Sequence, residues 1–125
     1  MILFSNKRKI VYVDVWASWC MPCRTMMESG KISREKYKNN PVAFVYASID
    51  ANVLSWKKAV NEEDMQTFQN NYIITNQKES DFIKKFKVDL IPRYLMYDKS
   101  GTLVSDNAPS PNSAEFDNMI KKLLR

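Results

Sequence analysis

The chain has 125 residues, of which 45% are hydrophobic and 26% charged, a balance that fits one globular domain with a single core and excludes fibrous and low-complexity classes. Its 19 basic and 14 acidic residues give a net charge of +5, but the cations are spread along the chain, so a solvated surface is expected and no nucleic-acid partner. No run approaches the ~20 apolar residues of a membrane-spanning helix, and with only Gly30 and Gly101 there is no Gly-rich phosphate loop.

Met1-Ile2-Leu3-Phe4-Ser5 is too short for a signal-peptide core and runs into Lys7-Arg8-Lys9, so the chain as written carries no export signal. The β-branched run 10–16 reads as a strand. Residues 21–38 are helical in composition, with Met26, Met27, Ile32 and Tyr37 placed to face a core, and Asn39-Asn40-Pro41 ends that helix. Residues 42–49 read as a second buried strand. A short helix is expected from Ser55, a further turn or two over Glu62 to Gln69, and a brief edge strand over Tyr72 to Thr75. Ser80 caps a helix through Phe86. Residues 93–97 and 102–105 flank Asp98-Lys99-Ser100-Gly101 as a hairpin in which Gly101 supplies a positive φ. Pro109-Ser110-Pro111 leads into an amphipathic helix, Ser113 to Leu124, with Phe116, Ile120, Leu123 and Leu124 inward. Alternating strands and helices imply an α/β layer fold of one domain spanning residues 1–125.

The chemistry concentrates in Cys20-Met21-Pro22-Cys23, directly behind the first strand. These are the only cysteines, and the chain has no histidine. A zinc site needs about four nitrogen or sulfur ligands, and copper delivery normally uses a histidine. Cys20, Cys23 and Met21 would make only a poor soft-metal site, so no metal is expected. Two thiols with two residues between them can close into a small disulfide and reopen by exchange. Where such a pair opens a helix, backbone N–H groups stabilise the thiolate and lower the pKa of the first thiol, which fits Cys20 exposed at the helix start and Cys23 one turn inward. A static disulfide or two inert thiols is the alternative. Strand alternation sets Ile10, Tyr12, Asp14 and Trp16 on one face, so Asp14 is a carboxylate among apolar neighbours, where its pKa should rise. A solvated edge position is the other reading of Asp14.

The stretch Val13-Asp14-Val15-Trp16-Ala17-Ser18-Trp19-Cys20-Met21-Pro22-Cys23-Arg24 resembles the active-site segment of the thioredoxin superfamily. Within it, the segment is most similar to bacterial thioredoxin-like thiol–disulfide oxidoreductases of the exported or membrane-anchored type. The likeness continues through Ile91-Pro92, the Asp98 to Gly101 hairpin and Asn107-Ala108-Pro109. It implies a thioredoxin fold, a central mixed β-sheet flanked by helices, and a reaction that needs no cofactor. Cys20 would attack a partner disulfide, Cys23 would release the product, and Asp14, matching the family's buried aspartate, would manage the Cys23 proton. Pro92 matches the family's cis-proline, and the backbone of Ile91 would pair with substrate as an added strand. Trp19, Met21 and Pro22 would complete the substrate-binding rim, with Trp16 packed beneath and Trp19 shielding the thiol.

Three positions depart from the pattern. Met21 replaces a common glycine in the dipeptide that tunes thiol acidity. Leu90 replaces a glycine before the Ile-Pro pair. Glu28 stands where a helix proline is usual, so Ser29-Gly30 is expected to supply the bend instead. The resemblance implies a monomer with protein disulfide or dithiol substrates and an upstream redox partner, working as a reductant in the periplasm or cell envelope, in cytochrome c maturation or general disulfide reduction. If the chain is cut from a longer one, any membrane association would come through an anchor in the missing part; a cytoplasmic location stays open. Two rivals remain. One is a non-catalytic thioredoxin-like binding domain. The other is a thiol peroxidase of the peroxiredoxin branch, which normally has Thr-x-x-Cys, whereas Ala17 stands at the threonine position here.

Overall fold

A computed structural model describes residues 8–74 and 90–125. In chain order its elements are β1 (Ile10–Trp16), α1 (Met21–Thr25), α2 (Met27–Lys36), β2 (Val42–Ser48), α3 (Val53–Glu62), β3 (Asn71–Ile73), β4 (Arg93–Tyr97), β5 (Leu103–Ser105) and α4 (Ala114–Leu124). Every residue of β1 is buried, because strands pair on both its edges: β2 parallel and β4 antiparallel. β3 adds parallel to β2 and β5 antiparallel to β4, giving a five-stranded mixed sheet of order β3-β2-β1-β4-β5. This is the α/β thioredoxin arrangement that the resemblance implies.

The period-2 alternation of β1 divides the core. Ile10, Tyr12 and Trp16 join Phe44, Tyr46, Tyr94 and Met96 on one face, against Cys23 and Met27 from the site helices and Phe116 and Ile120 of α4. Tyr12 is its hub, stacked on Tyr94 with ring centroids 5.3 Å apart and edge-on to Phe116 at 4.8 Å. Val11, Val13, Val15, Ala43, Val45, Ala47, Leu95 and Tyr97 make the opposite face.

α4 forms as expected: Ser113 caps it by accepting from Phe116 N at 3.1 Å, and Phe116 and Ile120 are fully buried. Its approach is fixed by Tyr12 Oη donating to Pro109 O (2.7 Å), Ser33 Oγ to Pro111 O (3.0 Å) and Tyr37 Oη to Asp117 Oδ1 (2.6 Å). The hairpin also forms as expected. The Asp98 carboxylate accepts from Ser100 N, Ser100 Oγ and Thr102 N, and Gly101 has φ +86°.

Elsewhere the structure corrects the expectations. The helix over 21–38 is interrupted at Met26, not bent at Ser29-Gly30. Ile32 is 64% exposed. The inward stripe instead runs through Cys23, Met27, Gly30, Ser33 and Tyr37, at the 3- and 4-residue spacing of one helix face, which leaves Ile32 off it and Met26 half-buried. α3 starts two residues before Ser55, since Asn52 Oδ1 caps Leu54 N and Ser55 N. It then stops instead of continuing toward Gln69. Asp64 takes φ +60°, with Met65 N bonded to Val60 O and Asp64 N to Asn61 O, a Schellman closure with aspartate where glycine is usual. The edge strand is Asn71–Ile73; Thr75 and the expected Ser80 to Phe86 helix lie outside the described residues.

Candidate active site

Parallel β1 and β2 end, and antiparallel β4 begins, at the same edge of the sheet: Trp16 pairs with Ser48, and Val15 with Arg93. This register brings the Ala17–Cys20 loop, Ile49-Asp50 and Leu90-Ile91-Pro92 to one end of the molecule. Chain connectivity alone would leave them far apart.

Cys20 is the N-cap of α1 and Cys23 lies in its first turn, with Pro22 beside the helix start, where its missing N–H costs nothing. The two are joined as a disulfide with Cα atoms 5.3 Å apart. Cys23 N donates to Cys20 Sγ at 3.2 Å, a contact that favours negative charge on that sulfur once the bond opens. Cys23 is inward, as expected. Cys20 is more covered than expected, with 5% of its surface exposed, because its loop folds back through Cys20 N to Ala17 O (3.0 Å). Trp19 and Met21 stand out on either side, each 65% exposed, and Pro22 is exposed with them. Trp16 is buried beneath.

The Cys20 loop is held by residues that the sequence reading passed over. Asp50, 3% exposed, receives Ser18 N on both carboxylate oxygens (3.1 and 2.9 Å), Ser18 Oγ at 2.6 Å and Ser48 Oγ. Arg24 bridges α1 to the end of α3 through Glu63 (2.8 Å) and Glu62 (3.1 Å) and reaches Ser18 O at 3.4 Å. The available signal was positional: a carboxylate one residue past an apolar strand, and a cation immediately after the second cysteine.

Asp14 sits on the aromatic face of β1, 5% exposed, in register with Tyr46 on one side and Tyr94 on the other. Its Oδ1 has no hydrogen-bond partner, and neither do Tyr94 Oη and Trp16 Nε1 on the same face. Burial pushes the carboxyl up to about 8, opposed by the positive charge of Arg34. Burial, and secondarily Asp14, in turn raises the hydroxyl pKa values of Tyr12, Tyr46 and Tyr94 well above the ordinary tyrosine range. The solvated-edge reading of Asp14 is therefore excluded. The Ile91-Pro92 peptide bond is cis. Ile91 is half-buried against both faces of the core, and Leu90 projects outward, 77% exposed.

A five-stranded mixed sheet with a cysteine pair opening a helix at the end of its central strand, and a cis-proline leading into the neighbouring strand, defines a two-cysteine thioredoxin-fold protein. Residues 3–123 match the Redoxin family, and the chain belongs to it. It is 23% identical over 117 residues to the thiol-disulfide oxidoreductase ResA of Bacillus thuringiensis subsp. konkukian, covering 94% of this chain and 65% of that one. The chain thus spans just under two thirds of the length of the curated relatives it matches. A crystal structure of a candidate thiol-disulfide oxidoreductase from Bacteroides vulgatus aligns with a TM-score of 0.85 at 25% identity, over 98% of this chain and 83% of that one. The thioredoxin domain of another Bacteroides vulgatus thiol-disulfide oxidoreductase aligns with a TM-score of 0.83 at 21% identity, over 98% and 84%, and shares the fold.

Proposed function

We propose that the chain is a thiol–disulfide oxidoreductase that exchanges its Cys20–Cys23 pair with protein disulfides, as a single domain acting in the reducing direction. The observation that carries this reading is the pair itself: joined, placed at a helix start, with the Cys23 N–H aimed at Cys20 Sγ. In the reduced protein the Cys20 thiolate attacks one sulfur of a substrate disulfide, and the other leaves as a thiolate that takes up a proton. Asp14 accepts the Cys23 proton. The resulting Cys23 thiolate attacks Cys20 Sγ, closing the intramolecular disulfide and expelling the second substrate sulfur as a thiolate, which takes up a proton in turn. The substrate disulfide is reduced and the dithiol oxidised, with no added cofactor. Trp19, Met21, Pro22 and the Ile91-Pro92 backbone form the substrate rim; Leu90 extends it.

The reducing direction, the cell-envelope location, a monomeric state and a role in cytochrome c maturation or general disulfide reduction rest on the resemblance of the active-site segment to exported bacterial oxidoreductases. No described helix is long and apolar enough to cross a membrane. The test is trapping with oxidised glutathione after prior reduction. Cys23→Ser accumulates a glutathione adduct on Cys20, whereas Cys20→Ser accumulates none. Adducts on the wrong variant would reverse the roles, and absence from both would leave a non-catalytic domain.

A further inference from the structure

Two opposite charges in the core lack the partners such groups usually have. Asp14 Oδ1 is buried with no hydrogen bond. Arg34, half-buried on α2, makes no ion pair with any described carboxylate. The other cations of that helix are engaged elsewhere: Lys31 donates to Glu63 O at 2.6 Å and Lys36 pairs with Asp117 at 3.2 Å. Arg34 is turned over the Tyr46 side of the core, with its guanidinium 4.3 Å from the Phe68 ring centroid and Nη1 donating to Tyr46 Oη at 2.8 Å. Tyr46 is the β2 residue in register with Asp14 on the same sheet face. Its hydroxyl reaches α2 because residue 30 is glycine; a Cβ there would lie 2.8 Å from Tyr46 Oη. Gly30, Tyr46 and Arg34 thus form one assembly that lays a cation against the Asp14 side of the sheet.

We propose that Arg34, anchored on the Tyr46 hydroxyl, is a positioning residue for Asp14: it keeps the carboxylate available as the acceptor of the Cys23 proton. This rests on the oxidoreductase reading above and deepens it. A buried carboxylate with no hydrogen-bond donor is driven toward its neutral form, and a neutral acid cannot take a proton. The groups around Asp14 are Tyr12 on its own strand, Tyr46 of β2, Tyr94 of β4 and Arg34 of α2, and the Cys20–Cys23 pair of α1 belongs to the core cluster on the same side of the sheet. The tyrosines stay neutral throughout the working range, so Arg34 is the one positive charge among them. Its field favours the ionised carboxylate.

The experiment follows the Asp14 carboxyl carbon by NMR across pH in the oxidised full chain, for the wild type, Arg34→Gln, Arg34→Lys and Tyr46→Phe. The pH profile of thiol exchange with oxidised glutathione is measured on the same reduced proteins. Arg34→Gln shifts the Asp14 midpoint to higher pH, Arg34→Lys restores most of it, and Tyr46→Phe, which frees the guanidinium, shifts it in the same direction as Gln by less. Each exchange profile moves with its midpoint. An Asp14 midpoint unchanged in folded Arg34→Gln overturns the proposal and leaves the oxidoreductase reading standing. A midpoint that moves without the exchange profile overturns instead the role of Asp14 in resolution. Should Arg34→Gln fail to fold, Arg34→Lys and Tyr46→Phe carry the test, and identical midpoints in both overturn the proposal.

Discussion

The two faces of the sheet are built from the same strands and differ in almost every chemical respect. Val11, Val13, Val15, Ala43, Val45, Ala47 and Leu95 make one face that is aliphatic except for Tyr97 at its margin, whose cohesion comes from area removed from water and close packing. The residues between them in sequence, Tyr12, Asp14, Trp16, Tyr46, Ser48 and Tyr94, make a face of aromatic and polar groups, three of whose buried polar atoms find no partner. An unpaired buried polar atom costs about 1–3 kcal/mol. The aliphatic face therefore carries stability, and the aromatic face spends some of it to hold a carboxyl in an environment where its proton is mobile near neutral pH. The cysteine pair sits on the second face.

The largest expected effect lies where that polar face reaches the Cys20 loop. Asp50→Ala removes the acceptor of Ser18 N, Ser18 Oγ and Ser48 Oγ and should cost about 3–5 kcal/mol in urea unfolding, with slowed exchange, because several buried donors are stranded together. A loss below about 1 kcal/mol would mean that the loop holds its shape without the clamp.

Asp14→Asn tests the cost of the polar face through its sign. The carboxyl ionises at 3.8 in its ordinary state and about 8 when folded, so between those values the folded chain holds the extra proton. Stability from this group is then full below the lower value and lost as pH rises through the upper one. The variant should be slightly less stable than wild type near pH 4, where an amide replaces a neutral acid. At pH 9 it should be more stable by about 2–4 kcal/mol, with slower exchange near neutrality. A stability difference that does not change with pH would show that Asp14 ionises as easily folded as unfolded.

Val45→Ala provides the contrast on the aliphatic face. It should cost about 2 kcal/mol at every pH and leave exchange rates untouched. A change in the pH profile of exchange would break the separation of the two faces. Gly30→Ala comes next, at about 1–2 kcal/mol destabilising, against the usual gain of about 1 kcal/mol for this change in a helix. Its added Cβ meets the hydroxyl of a tyrosine that is 1% exposed and pinned by Arg34. Tyr46→Phe in the same background should recover part of the loss.

These regions were not equally legible in the sequence. β1 and the placement of Asp14 followed from period-2 alternation, and the cysteine pair and Pro92 from local spacing and resemblance, because each is written in adjacent residues. Asp50, Arg24 and Arg34 were missed since their partners lie 32, 39 and 12 residues away. No local pattern distinguishes such a residue from an ordinary surface charge. Ile32 was misplaced for a related reason: hydrophobicity suggested an inward side chain, but the face of α2 is chosen by Gly30 and Ser33, small enough for close approach. The end of α3 was hidden because Asp64 fills a left-handed position where glycine would have marked the stop.

The central claim is that Cys20 and Cys23 form a working redox couple, and equilibration of the pair against defined glutathione ratios, read by alkylation of the freed thiols, tests it most directly. The account predicts a single reversible two-electron transition with a potential near the thioredoxin value of about −270 mV, with Cys20 the faster of the two to alkylate. A transition near about −120 mV would make the protein an oxidant, and a pair that never equilibrates with glutathione would contradict the account outright.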